Sequence, residues 1–268
     1  MPFAETSTGR LYYDVCDAVP AWVRQPQTIV FHHGIAACVD LWAAWVPVLA
    51  SRYRLVRFDM RGFGQSSVPP RDYRWSFEGL VADLFAVAEA AGVDRFHLVG
   101  ESIGGTAAMA AALQSPSRIR TLTLSNSAAR GGLVGNVKSW RDELASGGQR
   151  EWARLMMERR FFPDGLDPAV RTWYLDLHER CSMDATLGLA DLLLASDLTP
   201  RLGEIRVPTL LLSPEGSPFI PVEVMVGMRE KIAGAELQVF AHAKHGLPLS
   251  HGARCARVVR DFLERRGG

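Results

Sequence analysis

The sequence predicts an α/β protein, with a mostly parallel sheet covered by helices on both faces and a helical insert. Three observations lead there. Short apolar runs alternate with amphipathic helical patterns along most of the chain. One run ends in Gly100-Glu101-Ser102-Ile103-Gly104, and an alanine-rich helical pattern follows from Thr106 to Leu113. After Ser127 the alternation stops, and residues 128–199 read as helical with no strand.

The elements follow in order. Thr28 to His32 reads as a buried strand and Arg54 to Asp59 as another. Between them, Asp40 to Ser51 reads as a helix with Asp40 as its N-cap. Ser76 to Ala91 is an amphipathic helix, opening on Ser76 and closing before Gly92. The strand Phe96 to Gly100 leads into the Gly-x-Ser-x-Gly turn and its helix, and Ile119 to Leu124 is the next strand. The insert then carries Trp140, Trp152, Met156, Met157, Phe161, Phe162 and Trp173, which serve either as packing or as pocket lining. Strand character returns at Val207 to Leu212 and at Glu236 to Phe240, separated by a helix near Val222 to Ala233. A last helix covers about Ala253 to Arg265. The expected organisation is a core of residues 1–127 and 200–268 with a cap of residues 128–199.

The chemistry is concentrated at Ser102. A strand, a sharp turn and a helix form a nucleophile elbow. The turn needs glycine at Gly100 and Gly104, where a Cβ would strike the neighbouring backbone. It lifts the Ser102 hydroxyl above the sheet at a helix N-terminus, where free N–H groups favour developing negative charge. Such a hydroxyl is a weak nucleophile near neutral pH and needs a base, for which histidine is suited.

Composition narrows the remaining possibilities. Among 268 residues, 30 Lys and Arg balance 29 Asp and Glu without any run of like charge, so no nucleic-acid partner is expected. The four cysteines have neither paired nor metal-ligand spacing and read as reduced thiols of a cytoplasmic protein. Residues 1–10 lack a signal-peptide core, and no apolar run approaches the roughly 20 residues of a membrane span. A small-molecule substrate is the expected partner; the oligomeric state is open.

Several segments carry a family resemblance. His32-His33-Gly34 ends the first long strand. Asp59-Met60-Arg61-Gly62-Phe63-Gly64-Gln65-Ser66 follows the second. The elbow comes next, and Lys244-His245-Gly246 lies after the last strand. In this order the chain resembles the α/β-hydrolase superfamily over nearly its whole length. The resemblance implies His245 as the base, with His242 as a rival, and an oxyanion hole made by the backbone N–H groups of Ile35 and Ile103. It implies no cofactor and no metal. His32 and His33 are expected to shape the oxyanion loop, Asp59 and Arg61 to brace a tight turn, and Glu101 to point elsewhere as a local packing or hydrogen-bonding group.

The third member of a triad departs from the pattern. The family's usual aspartate slot is Ser217, and an alternative slot after the strand preceding the insert is Asn126. Three readings stay open. Glu215 reaches the histidine from two residues away, or Ser217 or Asn126 accepts its N–H through a neutral oxygen, or an acid from elsewhere such as Asp197 does so. Losing this acid lowers serine-protease turnover by roughly 10⁴. A dyad would turn over activated esters or enol lactones and be a poor amidase.

Two further stretches refine the resemblance. Leu124-Ser125-Asn126-Ser127-Ala128-Ala129 and Ala195 to Leu202, followed by Ile205 and Pro208, are similar to 3-oxoadipate enol-lactonase-like and carbon–carbon-bond hydrolases. The implied function is a serine hydrolase acting on a small ester or lactone through a Ser102 acyl-enzyme. The alternatives are a lyase, isomerase or carbon–carbon-cleaving enzyme in the same pocket, and a receptor-like binding protein with residual hydrolysis.

Overall fold

In the computed structural model, which describes residues 2–267, eight strands form one sheet in the order β1-β2-β4-β3-β5-β6-β7-β8. The strands are β1 (Phe3–Thr6), β2 (Gly9–Cys16), β3 (Thr28–His32), β4 (Arg54–Phe58), β5 (Phe96–Glu101), β6 (Ile119–Ser125), β7 (Thr209–Pro214) and β8 (Glu236–Phe240). β1 and β2 pair antiparallel, as do β2 and β4; from β4 to β8 every pairing is parallel. The chain belongs to the α/β class that the alternating pattern predicts.

Strand alternation divides the core between two helical layers. Ile29, Phe31, Val99, Leu210 and Leu212 pack on one face against Trp42, Trp45 and Leu49 and against Val259 and Phe262. Those partners come from the region of α1 (Val46–Leu49) and from α9 (Gly252–Arg266). Val30, Leu98, Leu122 and Leu211 pack on the other face. They meet α2 (Phe77–Ala90) and α3 (Ile103–Gln114), with α7 (Val222–Lys231) completing the layer. Fully buried aliphatic side chains such as Leu, Val and Ile each contribute about 1.5–3 kcal/mol, so this two-faced core dominates the stability.

Between β6 and β7 the chain forms α4 (Trp140–Arg160), α5 (Pro168–Arg180) and α6 (Met183–Ala195). An isolated bridge between Arg130 and Asp197 ties together the two ends of this helical stretch. The short α8 (Leu247–Ser250) follows the histidine loop.

Two local expectations change. The predicted helix from Asp40 to Ser51 is a 3-10 turn, Val39–Trp45, joined to one turn of α-helix. Pro47 has no N–H to give to Ala43, so a continuous helix cannot run through it. Cys38, not Asp40, holds the N-cap position, and without a side-chain bond. The β1–β2 hairpin gives no clear sequence signal, because β1 is the sheet edge and both strands are only partly buried. Ser76 caps α2 as expected, its Oγ accepting from Gly79 N at 3.0 Å.

Candidate active site

The carboxyl ends of β3, β5 and β6 converge on one edge of the sheet, where open α/β folds place their ligands. Five non-glycine residues there and elsewhere have positive φ, and three lie just after these strands: Ala36, Ser102 and Asn126. Ser102 has φ 54° and ψ −125° at the start of α3. Such backbone strain costs on the order of 1–3 kcal/mol and persists only where the surroundings impose it. Here Ser102 N donates to Ser125 O at 3.0 Å, and Ser102 O accepts from Gly105 N at 2.9 Å. A Cβ at Gly100 would lie 2.5 Å from Gly104 O, and one at Gly104 would lie 2.4 Å from His32 O. The elbow has the geometry its glycines predict, and the Ser102 side of the turn is half-buried.

His245 lies between β8 and α8 and is 3% exposed. Its Nδ1 is 2.5 Å from Asn126 Nδ2 and 3.2 Å from Ser217 Oγ. Asn126 Nδ2 also donates to His245 O at 2.9 Å, and Ser217 Oγ accepts from Ile220 N at 3.1 Å. Two neutral groups therefore sit behind the imidazole. An amide N–H there meets a lone pair on Nδ1 and leaves the ring proton on Nε2. Turned about, the amide would present Oδ1, which is buried without a partner, and would free Nε2 as a base.

Glu215 does not stand behind the histidine. It is exposed, and its carboxylate accepts from His242 N at 3.4 Å. The chain turns inward only at Ser217, so the longer glutamate side chain is aimed outward instead of toward the ring. Asp197 is also excluded, since it pairs with Arg130 at 3.5 Å at the insert junction.

The nearby carboxylate lies on the opposite edge of the ring. Glu101 Oε1 is 3.7 Å from His245 Nε2, with both side chains buried. Its Oε2 fits against Gly34, where a Cβ would be 2.3 Å away. The expectation that Glu101 points elsewhere is wrong: the strained elbow turns both it and Ser102 toward the oxyanion loop. Burial raises the Glu101 carboxyl to about 7, against the opposing charge of Arg160 and the Gly34 amide.

Arg160 is the basic group the sequence did not reveal. It reads as one of two neighbouring arginines on an amphipathic helix, yet Arg159 pairs with Glu143 while Arg160 turns inward. Arg160 Nη1 donates to Tyr174 Oη at 2.9 Å and reaches Ile35 O at 3.5 Å. Its backbone carbonyl accepts from Gly246 N at 2.9 Å, beside the base. Helix α4 thus holds both the loop after β3 and the histidine loop through one residue. Burial, assisted by the Arg160 charge, pushes His245 well below the usual imidazole range. Its resting form is neutral.

The remaining aromatic residues divide by position. Phe219 packs 4.7 Å from the His245 ring, and Trp140 lies 6.0 Å from Phe219. Trp140, Trp152 and Met156 join the main core, whereas Met157, Phe161 and Tyr174 form a separate cluster. His242 is exposed and stacks on Phe162 at 4.4 Å, away from the base position. His33 Nε2 accepts from Met60 N at 2.8 Å, which leaves its Nδ1 to donate to Gly34 O at 2.7 Å. Burial lowers His32 to about 4 and His33 to about 3, so both remain neutral supports of the loop. Asp59 accepts from Val39 N and Gln65 N, each at 2.8 Å. Arg61 instead forms a two-bond pair with Asp83, so the two motif charges brace different segments. Ile35 and Ile103 lie in the oxyanion loop and in the first turn of α3, where N–H groups lack intrahelical partners.

The fold and this edge of the sheet define a hydrolase-type site built on a nucleophile elbow. The chain belongs to the alpha/beta hydrolase family, whose profile matches residues 27–251. It is 28% identical to the 2-hydroxy-6-oxononadienedioate/2-hydroxy-6-oxononatrienedioate hydrolase of Paraburkholderia xenovorans, over 88% of this chain and 86% of that protein. It is 29% identical to the 2-hydroxy-6-oxo-2,4-heptadienoate hydrolase of Pseudomonas putida, over 88% of each chain. The enol-lactonase from Burkholderia xenovorans shares the fold, with a TM-score of 0.89 at 24% identity over 98% of this chain and 100% of that one. The two sequence relatives are both named as hydrolases, and the enol-lactonase is a likeness of fold.

Proposed function

We propose that this protein is a cofactor-independent serine hydrolase acting on a small carboxylic ester or lactone. The observation that carries the reading is the strained Ser102 elbow, whose chain neighbour Glu101 lies 3.7 Å from the buried, neutral His245. With the Asn126 amide turned so that Oδ1 accepts from Nδ1–H, Nε2 is free: Ser102 Oγ attacks the carbonyl carbon as its proton passes to His245 Nε2, and the carbonyl electron pair moves onto oxygen. The Ile35 and Ile103 N–H groups receive that oxyanion. Collapse expels the alkoxide, which takes the proton from Nε2. His245 then draws a proton from water as it attacks the acyl-enzyme, and on collapse Nε2 returns that proton to Ser102 Oγ as the acid leaves.

Intact-mass measurement with a fluorophosphonate probe tests the assignment. One adduct is expected on the wild type and none on Ser102→Ala. An unlabelled wild type, or equal labelling of both, would sink it.

The neutral partners at Nδ1 favour a second reading, in which His245 acts as base and Ser102 only donates a hydrogen bond during carbon–carbon cleavage. Retained turnover in Ser102→Ala on a vinylogous diketone acid would support that reading over an acyl-enzyme.

A further inference from the structure

We propose that Glu101 is a positioning residue of this hydrolase: its carboxylate, 3.7 Å from His245 Nε2, stabilises the imidazolium that forms when the base takes the Ser102 proton. This rests on the Ser102–His245 reading above. It places the negative charge on the reacting edge of the ring instead of behind it.

Elimination and geometry both support the assignment. The imidazolium needs a counter-charge in a buried site, where an unpaired ion is costly. Among the described residues, the groups bonded behind it are Asn126 and Ser217, which are neutral. Glu215 is exposed, and both carboxylate oxygens of Asp59 are occupied by backbone amides. Glu101 is 4% exposed and touches Gly34 of the oxyanion loop.

Other groups face the same carboxylate. The Gly34 amide and the Arg160 charge come from the oxyanion loop and α4. Tyr174, from α5, senses the Glu101 charge, and His178 stacks on Tyr174 at 4.1 Å. His178 is held neutral by burial. Arg160 directs its hydrogen bonds to Tyr174 and Ile35 and not to Glu101, so the glutamate is not simply the partner of that arginine.

The sequence of charges is self-consistent. As the Ser102 O–H bond breaks, the proton moves to Nε2 and Oγ bonds to the electrophile. The new imidazolium then lies beside the Glu101 carboxylate until the leaving group takes the proton back. A protonated Glu101 supplies no charge. Because its carboxyl titrates at about 7, reactivity should rise through neutral pH.

The test measures the rate of Ser102 labelling by a fluorophosphonate between pH 5 and 9, with thermal melts as the folding control. The wild type should show an inflection near neutrality. Glu101→Gln should label at least about tenfold more slowly at pH 8 and lose that inflection. Glu101→Asp, which keeps the charge but withdraws it, should label at an intermediate rate with an inflection retained. A Glu101→Gln protein with the wild-type rate and profile overturns the proposal. So do equal losses in both variants with the wild-type profile, since that pattern marks a purely structural role. If Glu101→Gln fails to melt cooperatively, the wild-type profile and Glu101→Asp decide, and a flat wild-type profile from pH 6 to 8 overturns it. A wild type that never labels refutes the serine-hydrolase reading itself, and this proposal falls with it.

Discussion

Replacing Ser217 with aspartate places a carboxylate where the structure now has a hydroxyl 3.2 Å from His245 Nδ1. The site is well suited to receive it. Ile220 N already donates to this side chain at 3.1 Å, so one carboxylate oxygen keeps that bond while the other faces the ring. Unit charges about 4 Å apart attract by about 4 kcal/mol at an effective dielectric of 20. Residue 217 is 7% exposed, so desolvation of the new charge offsets roughly half of that gain. The net, about 1.5–3 kcal/mol of transition-state stabilisation, corresponds to a rise in kcat of roughly 10- to 100-fold. This stays below the roughly 10⁴ that separates a triad from a dyad in serine proteases. Steady-state hydrolysis of a p-nitrophenyl ester measures it, and the acid limb of the pH profile should move upward as the new charge favours imidazolium. Asn126→Asp should gain less, because it loses the Nδ2 bond to His245 O and sets a carboxylate against that carbonyl. If Ser217→Asp melts like the wild type but shows unchanged or lower kcat, Nδ1 is not the edge that limits the base.

Three other perturbations have definite outcomes. Arg160→Met should raise the pKa of His245, since the Arg160 charge depresses it, and should slow turnover by freeing the Ile35 carbonyl; an unmoved acid limb in the pH profile contradicts this. Gly104→Ala forces a Cβ to within 2.4 Å of His32 O and should cost on the order of 3–4 kcal/mol, visible as a lower denaturation midpoint and lost probe labelling. His97 bonds to Thr121 and Gln27 and is lowered by burial from 6.5 to about 4. Its folded pKa lies below its unfolded value, so the unfolded chain binds the extra proton and this stability is complete above pH 6.5. It is lost as pH falls toward 4, by about 1.4 kcal/mol per pH unit. Comparing urea denaturation of the wild type and His97→Gln isolates the effect from the raised carboxyls of Asp59 and Glu101, which act in the opposite direction. A stability difference that stays constant from pH 7 to 4 contradicts it.

The sequence by itself determined the layered α/β architecture, the helical stretch between β6 and β7, and the elbow at Ser102. These are local properties. Apolar alternation declares a strand, and Gly100 and Gly104 permit one turn geometry, whatever the rest of the chain does. It also placed His245 on the loop after the last strand, because motif order survives in one dimension. The partners of the imidazole were not legible in the same way. Asn126 and Ser217 were visible as candidates, but so was Glu215, and side-chain length alone favoured the wrong one. Only the tertiary structure shows the chain turning inward at Ser217 and leaving Glu215 in solvent. Only it brings Arg160, 125 residues along from Ile35, onto the oxyanion loop. Glu101 shows the limit most clearly. Its neighbour in sequence declares the nucleophile, yet its own direction depends on a φ of 54° at Ser102 and on the space that Gly34 leaves open. Backbone periodicity is written locally, whereas the electrostatics of a buried site depend on which distant groups share its few cubic ångströms.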